Sequence, residues 1–277
     1  MNITIVGLGV IGGSFAKALK PLEEHQVYGI DNDISTLNKA EELGIIKKGY
    51  LDGKEPLELS DLVILCIYPM SVLNFVNSNK QYFKPGAIIT DATGVKGIMV
   101  DDILESVGEN IDFVFGHPMA GREKKGIDFA SAEVFKGANY IITPHHGNKT
   151  ESINAVEKLA YSIGFSNVKK VNPYEHDKIV AYTSQLPHAM AVALVNSDDG
   201  RYPTGELIGD SYRDLTRIAN INEELWSELF LSNRENLIST IEVFQEKLED
   251  IKKSLVNNDK EKLVKIFKES SSRREKL

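Results

Sequence analysis

The apolar positions change period partway along the chain. From the N-terminus to about residue 170, short aliphatic and β-branched runs alternate with stretches whose apolar residues recur every three or four positions. That is the pattern of βαβ units and a parallel sheet. It predicts strands at Ile3–Val6, Gln26–Ile30, Leu62–Ile67, Ala87–Thr90, Phe113–Phe115, Tyr140–Thr143 and Val168–Lys170. From about Asn172 the strand signals stop. Pro173 to Asn196 reads as one long helix kinked at Pro187, because proline lacks the N–H that the ladder needs. Asn222 to Leu255 and Asp259 to Lys268 read as two more, with Leu237, Ile241, Phe244, Leu248, Ile251 and Leu255 on one face, and Ser270 to Leu277 as a frayed tail. The expected fold is α/β: an N-terminal Rossmann-type doubly wound sheet over residues 1–171, then an all-helical C-terminal domain over residues 172–277. The apolar face of the long helix needs a cover, either from its own domain or from a second copy in a homodimer.

Within this pattern one junction stands out. The run Asn2-Ile-Thr-Ile-Val6 meets Gly7, Gly9 and Gly12 and passes through Val10 and Ile11 into a helical stretch. Gly7 lets the chain turn sharply, Gly9 lets backbone approach a pyrophosphate, and Gly12 lets helix and strand pack closely. The helix N-terminus then faces the phosphates. About 20 residues on, Asp31 closes the second apolar run, where a carboxylate accepts hydrogen bonds from ribose hydroxyls and repels a 2′-phosphate. Asn32-Asp33-Ile-Ser offers no Arg or Lys to neutralise one, so NAD is expected rather than NADP, and Asp33 is expected to cap the next helix. Ligands of such sheets sit at the carboxyl ends of the strands. The positions to inspect are therefore Tyr68, Asp91-Ala-Thr93-Gly-Val-Lys96 and Gly116-His-Pro-Met-Ala-Gly121.

Composition narrows the class. With 277 residues, 42% hydrophobic and 26% charged, the chain suffices for one large or two modest cores. A formal charge of −8, without a basic stretch interleaved with aromatics, argues against a nucleic-acid surface. The single cysteine, Cys66, lies in an apolar run; it forms no internal disulfide and reads as a buried strand residue, which suits a reducing cytoplasm. No leader and no apolar run of about 18 residues is evident, so a soluble cytoplasmic protein is expected, and no metal-ligand spacing is seen.

Candidate chemistry gathers at a few polar side chains. His117 follows Phe113-Val-Phe-Gly at a strand end, where its unperturbed pKa near 6.5 suits it to accept a proton from an alcohol while a cofactor accepts hydride. A loop histidine satisfied by backbone is the alternative. His188 and Ser184 lie one turn apart beside Pro187, as a ligand wall or as a core histidine bonded to a freed carbonyl. Arg217 sits among Leu215, Ile218 and Ala219, and an arginine so placed needs a carboxylate, from Asp214 or from a ligand. Arg213 reads as surface, His176 with Asp177 as the structural start of the long helix, and His25, His145 and His146 as solvent-facing.

Together these residues resemble the prephenate dehydrogenase family over essentially the whole chain. The matches are the Gly7–Ser14 loop, Gly116-His-Pro-Met-Ala-Gly121 with Glu123 after it, Ser184-Gln-Leu-Pro-His188, and Arg213-Asp-Leu-Thr-Arg-Ile-Ala219 followed by Trp226. The resemblance implies oxidative decarboxylation of prephenate in tyrosine biosynthesis. Hydride leaves the ring carbinol carbon for NAD, the ring carboxylate departs as carbon dioxide, and aromatisation drives the step. By position, His117 would accept the hydroxyl proton, Arg217 would hold a substrate carboxylate, His188 and Ser184 would line the pocket, and Glu123 and Trp226 would shape its edge. One departure stands at Gly94, where the family pattern has a serine that helps to hold the histidine and the substrate hydroxyl; Thr93 or a water is left to replace it. Neither a chorismate mutase domain nor a ligand-sensing domain finds room in 277 residues, so any inhibition by tyrosine is expected at the active site. Rival readings are an arogenate dehydrogenase, a β-hydroxyacid dehydrogenase, for which Lys178 lies too far back on the helix, and a non-catalytic NAD-binding sensor.

Overall fold

The structure, a computed structural model, describes residues 1–108 and 111–276. One sheet contains β1 (Asn2–Val6), β2 (Gln26–Ile30), β3 (Lys48–Tyr50), β4 (Leu62–Leu65), β5 (Ile88–Asp91), β6 (Asp112–Pro118), β7 (Asn139–Thr143) and β8 (Asn167–Lys170). Their order is β3-β2-β1-β4-β5-β6-β7-β8. The strands from β1 to β6 pair in parallel, as the alternating pattern requires. β3 was not foreseen, because Lys48-Gly49-Tyr50 is too short and too polar to carry a period. β7 runs antiparallel to β6, against the expected parallel run. Between them lie the 3₁₀ turns Ile127–Phe129 and Ala132–Phe135, too short to carry the chain back as a crossover helix would.

The helices beside the sheet are α1 (Val10–Leu19), α2 (Ile34–Glu42), α3 (Lys54–Leu59), α4 (Pro69–Asn79), α5 (Val100–Val107) and α6 (Thr150–Ser162). Strand side chains alternate between two cores. Ile3, Ile5, Leu62 and Ile64 join Phe15 and Leu19 of α1 and Val156 and Leu159 of α6. Val6, Val63 and Leu65 join Val72 and Val76 of α4 and Ile103 and Val107 of α5 on the other. Each fully buried aliphatic contributes about 1.5–3 kcal/mol, and covering both faces lets the strands read as continuous apolar runs.

β1 and β4 lie side by side while the chain leaves them in opposite directions, which opens a crevice at their carboxyl ends. The turn from β1 into α1 sits there. Gly7 has φ +84°, and a Cβ on it would lie 2.6 Å from the Cys66 carbonyl oxygen; a Cβ on Gly12 would lie 1.8 Å from the Gly7 carbonyl oxygen. Cys66 itself falls just past the end of β4, half-buried rather than within the strand.

Beyond β8 the chain is helical: α7 (Pro173–Val180), α8 (Leu186–Asn196), α9 (Thr204–Leu207), α10 (Asp210–Thr216), α11 (Glu223–Ser232), α12 (Arg234–Val256) and α13 (Lys260–Arg274). The long helix expected from Pro173 is interrupted by a π-helical stretch, Ala181–Gln185, immediately before Pro187 in the first turn of α8. Proline withdraws one ladder donor, and the widened turn is where the register adjusts. The helix expected from Asn222 to Leu255 breaks at Asn233, whose side chain turns inward to donate to the Asp177 carbonyl at 2.8 Å and to Gln185 Oε1 at 2.9 Å. α13 continues through Ser270–Arg274, where a tail was expected; Leu277 lies outside the described residues. Residues Met1–Asn233 form one compact unit, and the chain from Arg234 onward forms another. Among the described residues no helix is long and apolar enough to cross a membrane.

The contact at Gly12 yields a test. Gly12→Ala drives a methyl into backbone, so melting temperature should fall by the equivalent of about 1–3 kcal/mol or more, with loss of dinucleotide binding by calorimetry. Unchanged stability and binding would mean that the strand–helix contact is looser than described.

Candidate active site

Residues at the carboxyl ends of β5 and β6, in the segment that follows β5 and in α7 form one hydrogen-bonded group. Asp91, wholly buried at the end of β5, accepts from Lys96 Nζ at 2.6 Å, from the Thr93 amide at 3.0 Å and from the Gly116 amide at 3.0 Å. Lys96 is equally buried and also donates to the carbonyls of Thr93 (2.9 Å) and Gly116 (2.7 Å). Burial pulls the lysine below its usual pKa, against the opposing pull of Asp91. The Lys96 and Gly97 amides in turn donate to Asp177 at 2.9 and 2.7 Å.

Next to Gly116 stands His117, half-buried near the end of β6. Its Nδ1 lies 2.9 Å from Nε2 of His176, and Nδ1 of His176 lies 2.7 Å from Asp177 Oδ1. Burial first, then the neighbouring His176, then the Lys96 ammonium hold His117 well below the usual histidine range. His176 is also lowered, chiefly by burial, with Asp177 opposing. The other ring nitrogen of His117 faces Gly94, where a Cβ would stand 3.7 Å from Nε2 and 3.1 Å from Leu229 Cδ2. A side chain at residue 94 would thus stand beside His117 Nε2 and against Leu229.

A second group forms the wall. His188 stacks on Trp226 with ring centroids 3.7 Å apart, and its Nδ1 lies 2.9 Å from the Ser184 carbonyl in the π-helical stretch. Burial lowers its pKa, with smaller contributions from the Ser184 carbonyl and Glu123 upward and from Arg217 downward. Arg217 donates to Glu123 Oε1 at 2.7 Å, so its partner is Glu123 rather than Asp214. The Arg217 side chain is 66% exposed and Leu215 is exposed as well, while Ile218 and Ala219 are half-buried, so the segment packs inward only in part.

The glycine turn and Asp31 assemble as the sequence predicts. Asp31 Oδ2 accepts from the Leu8 amide at 2.7 Å and Oδ1 from the Asp33 amide at 3.0 Å, which leaves lone pairs for further donors. Gly9 caps α1 without a side-chain hydrogen bond, and nothing lies within 4 Å of where its Cβ would be. Val10 and Ile11 follow in the first turn, where amide donors lack intrahelical partners. An open approach, unpaired amides and a carboxylate at the ribose position fit a dinucleotide. Asp33 caps α2 through the Ser35 amide at 2.9 Å, as expected.

The remaining expected residues are placed partly as expected and partly differently. Thr93, expected at the substrate, is buried: its hydroxyl donates to Asp91 and receives Lys96 Nζ at 3.0 Å, so it is held inside the network. The Tyr68 hydroxyl accepts from Asn222 at 3.0 Å, which ties the start of α4 to the start of α11. His145 faces inward, with Nε2 3.1 Å from the Phe113 carbonyl, and the His25 side chain is largely covered beside Glu24; of the three turn histidines only His146 is exposed. Arg213 is at the surface near Asp210, as expected. His176 and Asp177 do not start the helix, since Asn172 caps it by accepting from the Glu175 amide at 2.9 Å. The sequence carried one signal for them: two adjacent polar residues just ahead of the apolar Ile179-Val180-Ala181. Among the described residues no cluster of three or more His, Cys, Asp or Glu could hold a metal ion.

Comparison with known proteins identifies the family. Residues 15–168 match the family model described as prephenate dehydrogenase, nucleotide-binding domain, and residues 172–269 match prephenate dehydrogenase, dimerization domain. A Lactococcus lactis protein named prephenate dehydrogenase is 30% identical over 288 residues, covering 100% of this chain and 77% of that one. The structure of A. aeolicus prephenate dehydrogenase in complex with hydroxyphenyl propionate and NAD+ superposes with a TM-score of 0.91 at 31% identity, covering 100% of this chain and 98% of the other. Synechocystis arogenate dehydrogenase superposes with a TM-score of 0.83 at 26% identity, covering 100% and 99%.

The lowered histidines make stability depend on pH. The unfolded chain takes up protons near the ordinary value of 6.5, whereas His117, His176 and His188 do so only at lower pH when folded. Below 6.5 the unfolded state binds more protons, so stability falls from there toward the lowered folded values. The melting temperature should drop between about pH 7 and about pH 5, and less steeply in His117→Asn. A flat profile in that window would contradict the burial described for these rings.

Proposed function

The chain belongs to the prephenate dehydrogenase family, and from that premise we propose that it converts prephenate to 4-hydroxyphenylpyruvate by oxidative decarboxylation with NAD. The observation that carries this reading is His117 at the sheet's carboxyl edge, with Nε2 facing Gly94 and Nδ1 already engaged by His176. NAD would be held by the Gly7–Gly12 turn and Asp31 and would supply the hydride acceptor. Asp31 and the nearby Asp33 carboxylate disfavour a 2′-phosphate, which supports NAD over NADP.

In this mechanism His117 Nε2 takes the proton of the ring hydroxyl as hydride leaves the carbinol carbon. The bond to the ring carboxylate then breaks, and its electron pair completes the aromatic ring as carbon dioxide departs. A pKa held low by burial keeps His117 neutral and ready at neutral pH. Arg217, which pairs with Glu123 in the free protein, receives a substrate carboxylate. His188, with Nδ1 held by the Ser184 carbonyl, and Trp226 stacked on it form a flat wall for the ring. Two copies pair through the helical region; Val243, Leu248 and Leu255 of α12 are exposed and apolar, which supports a partner.

The test is NADH formation at 340 nm with prephenate and arogenate in parallel, each with NAD or NADP. Turnover of prephenate with NAD is expected, reduced about 10²- to 10⁴-fold in His117→Asn. In Arg217→Ala, KM should rise about 10- to 150-fold, as for loss of a charged hydrogen bond of roughly 1.5–3 kcal/mol. Turnover of arogenate alone would change the substrate and keep the chemistry. Silence with both substrates, with NAD still bound, would overturn the enzymatic reading.

A further inference from the structure

We propose that His176 and Asp177 are positioning residues that lock the tautomer of His117 and take up part of the charge it acquires in turnover. The inference concerns the site described above and rests on the reading of His117 as proton acceptor.

The hydrogen-bond inventory leaves one assignment. A carboxylate only accepts, so the 2.7 Å contact between His176 Nδ1 and Asp177 Oδ1 requires the hydrogen on Nδ1 of His176. His176 is wholly buried, with no solvent to stabilise a second proton, so its Nε2 carries a lone pair. The 2.9 Å contact then requires His117 Nδ1 to donate. A neutral His117 with its hydrogen on Nδ1 has its lone pair on Nε2, the nitrogen that faces Gly94. Every atom in the chain from Asp177 to His117 thus has one role, and the role left at the open end is that of a base.

The carboxylate at the closed end is itself fixed. Asp177 Oδ1 and Oδ2 accept from the Lys96 and Gly97 amides, and a Cβ on residue 97 would stand 2.9 Å from Oδ2, so the approach depends on glycine there. Held this way, the carboxylate cannot rotate to present a different oxygen. When His117 gains a proton at Nε2, its Nδ1–H bond to His176 strengthens, and the Asp177 charge lies two hydrogen bonds away in a low-dielectric interior. A buried carboxylate that orients an imidazole and stabilises its protonated form is a known arrangement, here extended by one intervening histidine.

The test needs no substrate in its first arm. In ¹⁵N-histidine-labelled protein, long-range ¹H–¹⁵N correlation reports which ring nitrogen is protonated, with the His117 signals assigned by their loss in His117→Asn. The wild type should show His117 protonated on Nδ1. In His176→Asn the amide can still reach Asp177 but not His117, and His117 should become a mixture of tautomers. In His176→Gln the longer amide can accept from His117 Nδ1–H and should restore the wild-type form in part. The second arm is kinetic: kcat should fall about 10²- to 10⁴-fold in His176→Asn with KM and NAD affinity within about threefold, and recover partly in His176→Gln. Thermal melts of each variant establish that it is folded. His117 protonated on Nε2 in the wild type, or a tautomer or kcat unaltered by a folded His176→Asn, would overturn the proposal. If the wild type turns over neither prephenate nor arogenate, the functional reading fails while the tautomer arm still decides this one.

Discussion

The Asp91 carboxylate is the constraint on which the site depends. It sits at the end of β5 with no exposed surface, and ion pairing to Lys96 together with amides from Thr93 and Gly116 offsets the cost of burying it. A buried pair adds little stability compared with well-packed apolar residues, but removing one partner typically costs about 3–5 kcal/mol because the other is left charged and alone. What the pair contributes here is position. Lys96 carries its own backbone amide to Asp177, Asp177 holds His176, His176 holds His117, and the Gly116 amide beside His117 returns to Asp91. The hydrogen bonds close into a ring through two strand ends and one helix.

The helical wall follows from a different cause. Pro187 removes a donor, the chain answers with the π-helical stretch Ala181–Gln185, and the Ser184 carbonyl is met by the His188 ring. That contact leaves the imidazole flat against Trp226. Gln185, buried in the same stretch, donates to the Leu229 carbonyl and accepts from Asn233, so the irregular turn is tied to α11 by side chains instead of by the ladder. The irregularity is thus both a backbone defect and the reason that the wall has a defined orientation.

Much of this was legible in the sequence where the physics is local. Gly7, Gly12 and Asp31 lie within a single βαβ unit, and their roles follow from turn geometry and reach. His117 was legible from its place after a strand, and the kink from Pro187. What was not legible depends on residues far apart meeting in space. His176 and Asp177 read as a helix start because nothing nearby shows that β6 will bring His117 against them. Thr93 was expected at the substrate because nothing local shows that Lys96, three residues on, folds back into the interior and claims its hydroxyl. Arg217 called for a carboxylate, but only the folded chain brings Glu123 to it. The direction of β7 likewise follows from the lack of a crossover helix, which periodicity registers poorly in so irregular a segment.

The separation between these partners bears on how the protein comes to be active. In the nucleotide turn the Leu8 amide meets Asp31 across 23 positions, whereas His117 meets His176 across 59 and the Lys96 amide meets Asp177 across 81. Loop-closure entropy makes such distant contacts slower to form than local ones. During refolding the chain therefore acquires the shape of a nucleotide turn before it acquires an oriented base. Recovered activity is then a stricter report of completed folding than recovered nucleotide affinity, and the interval between the two measures how long the last distant segments take to dock.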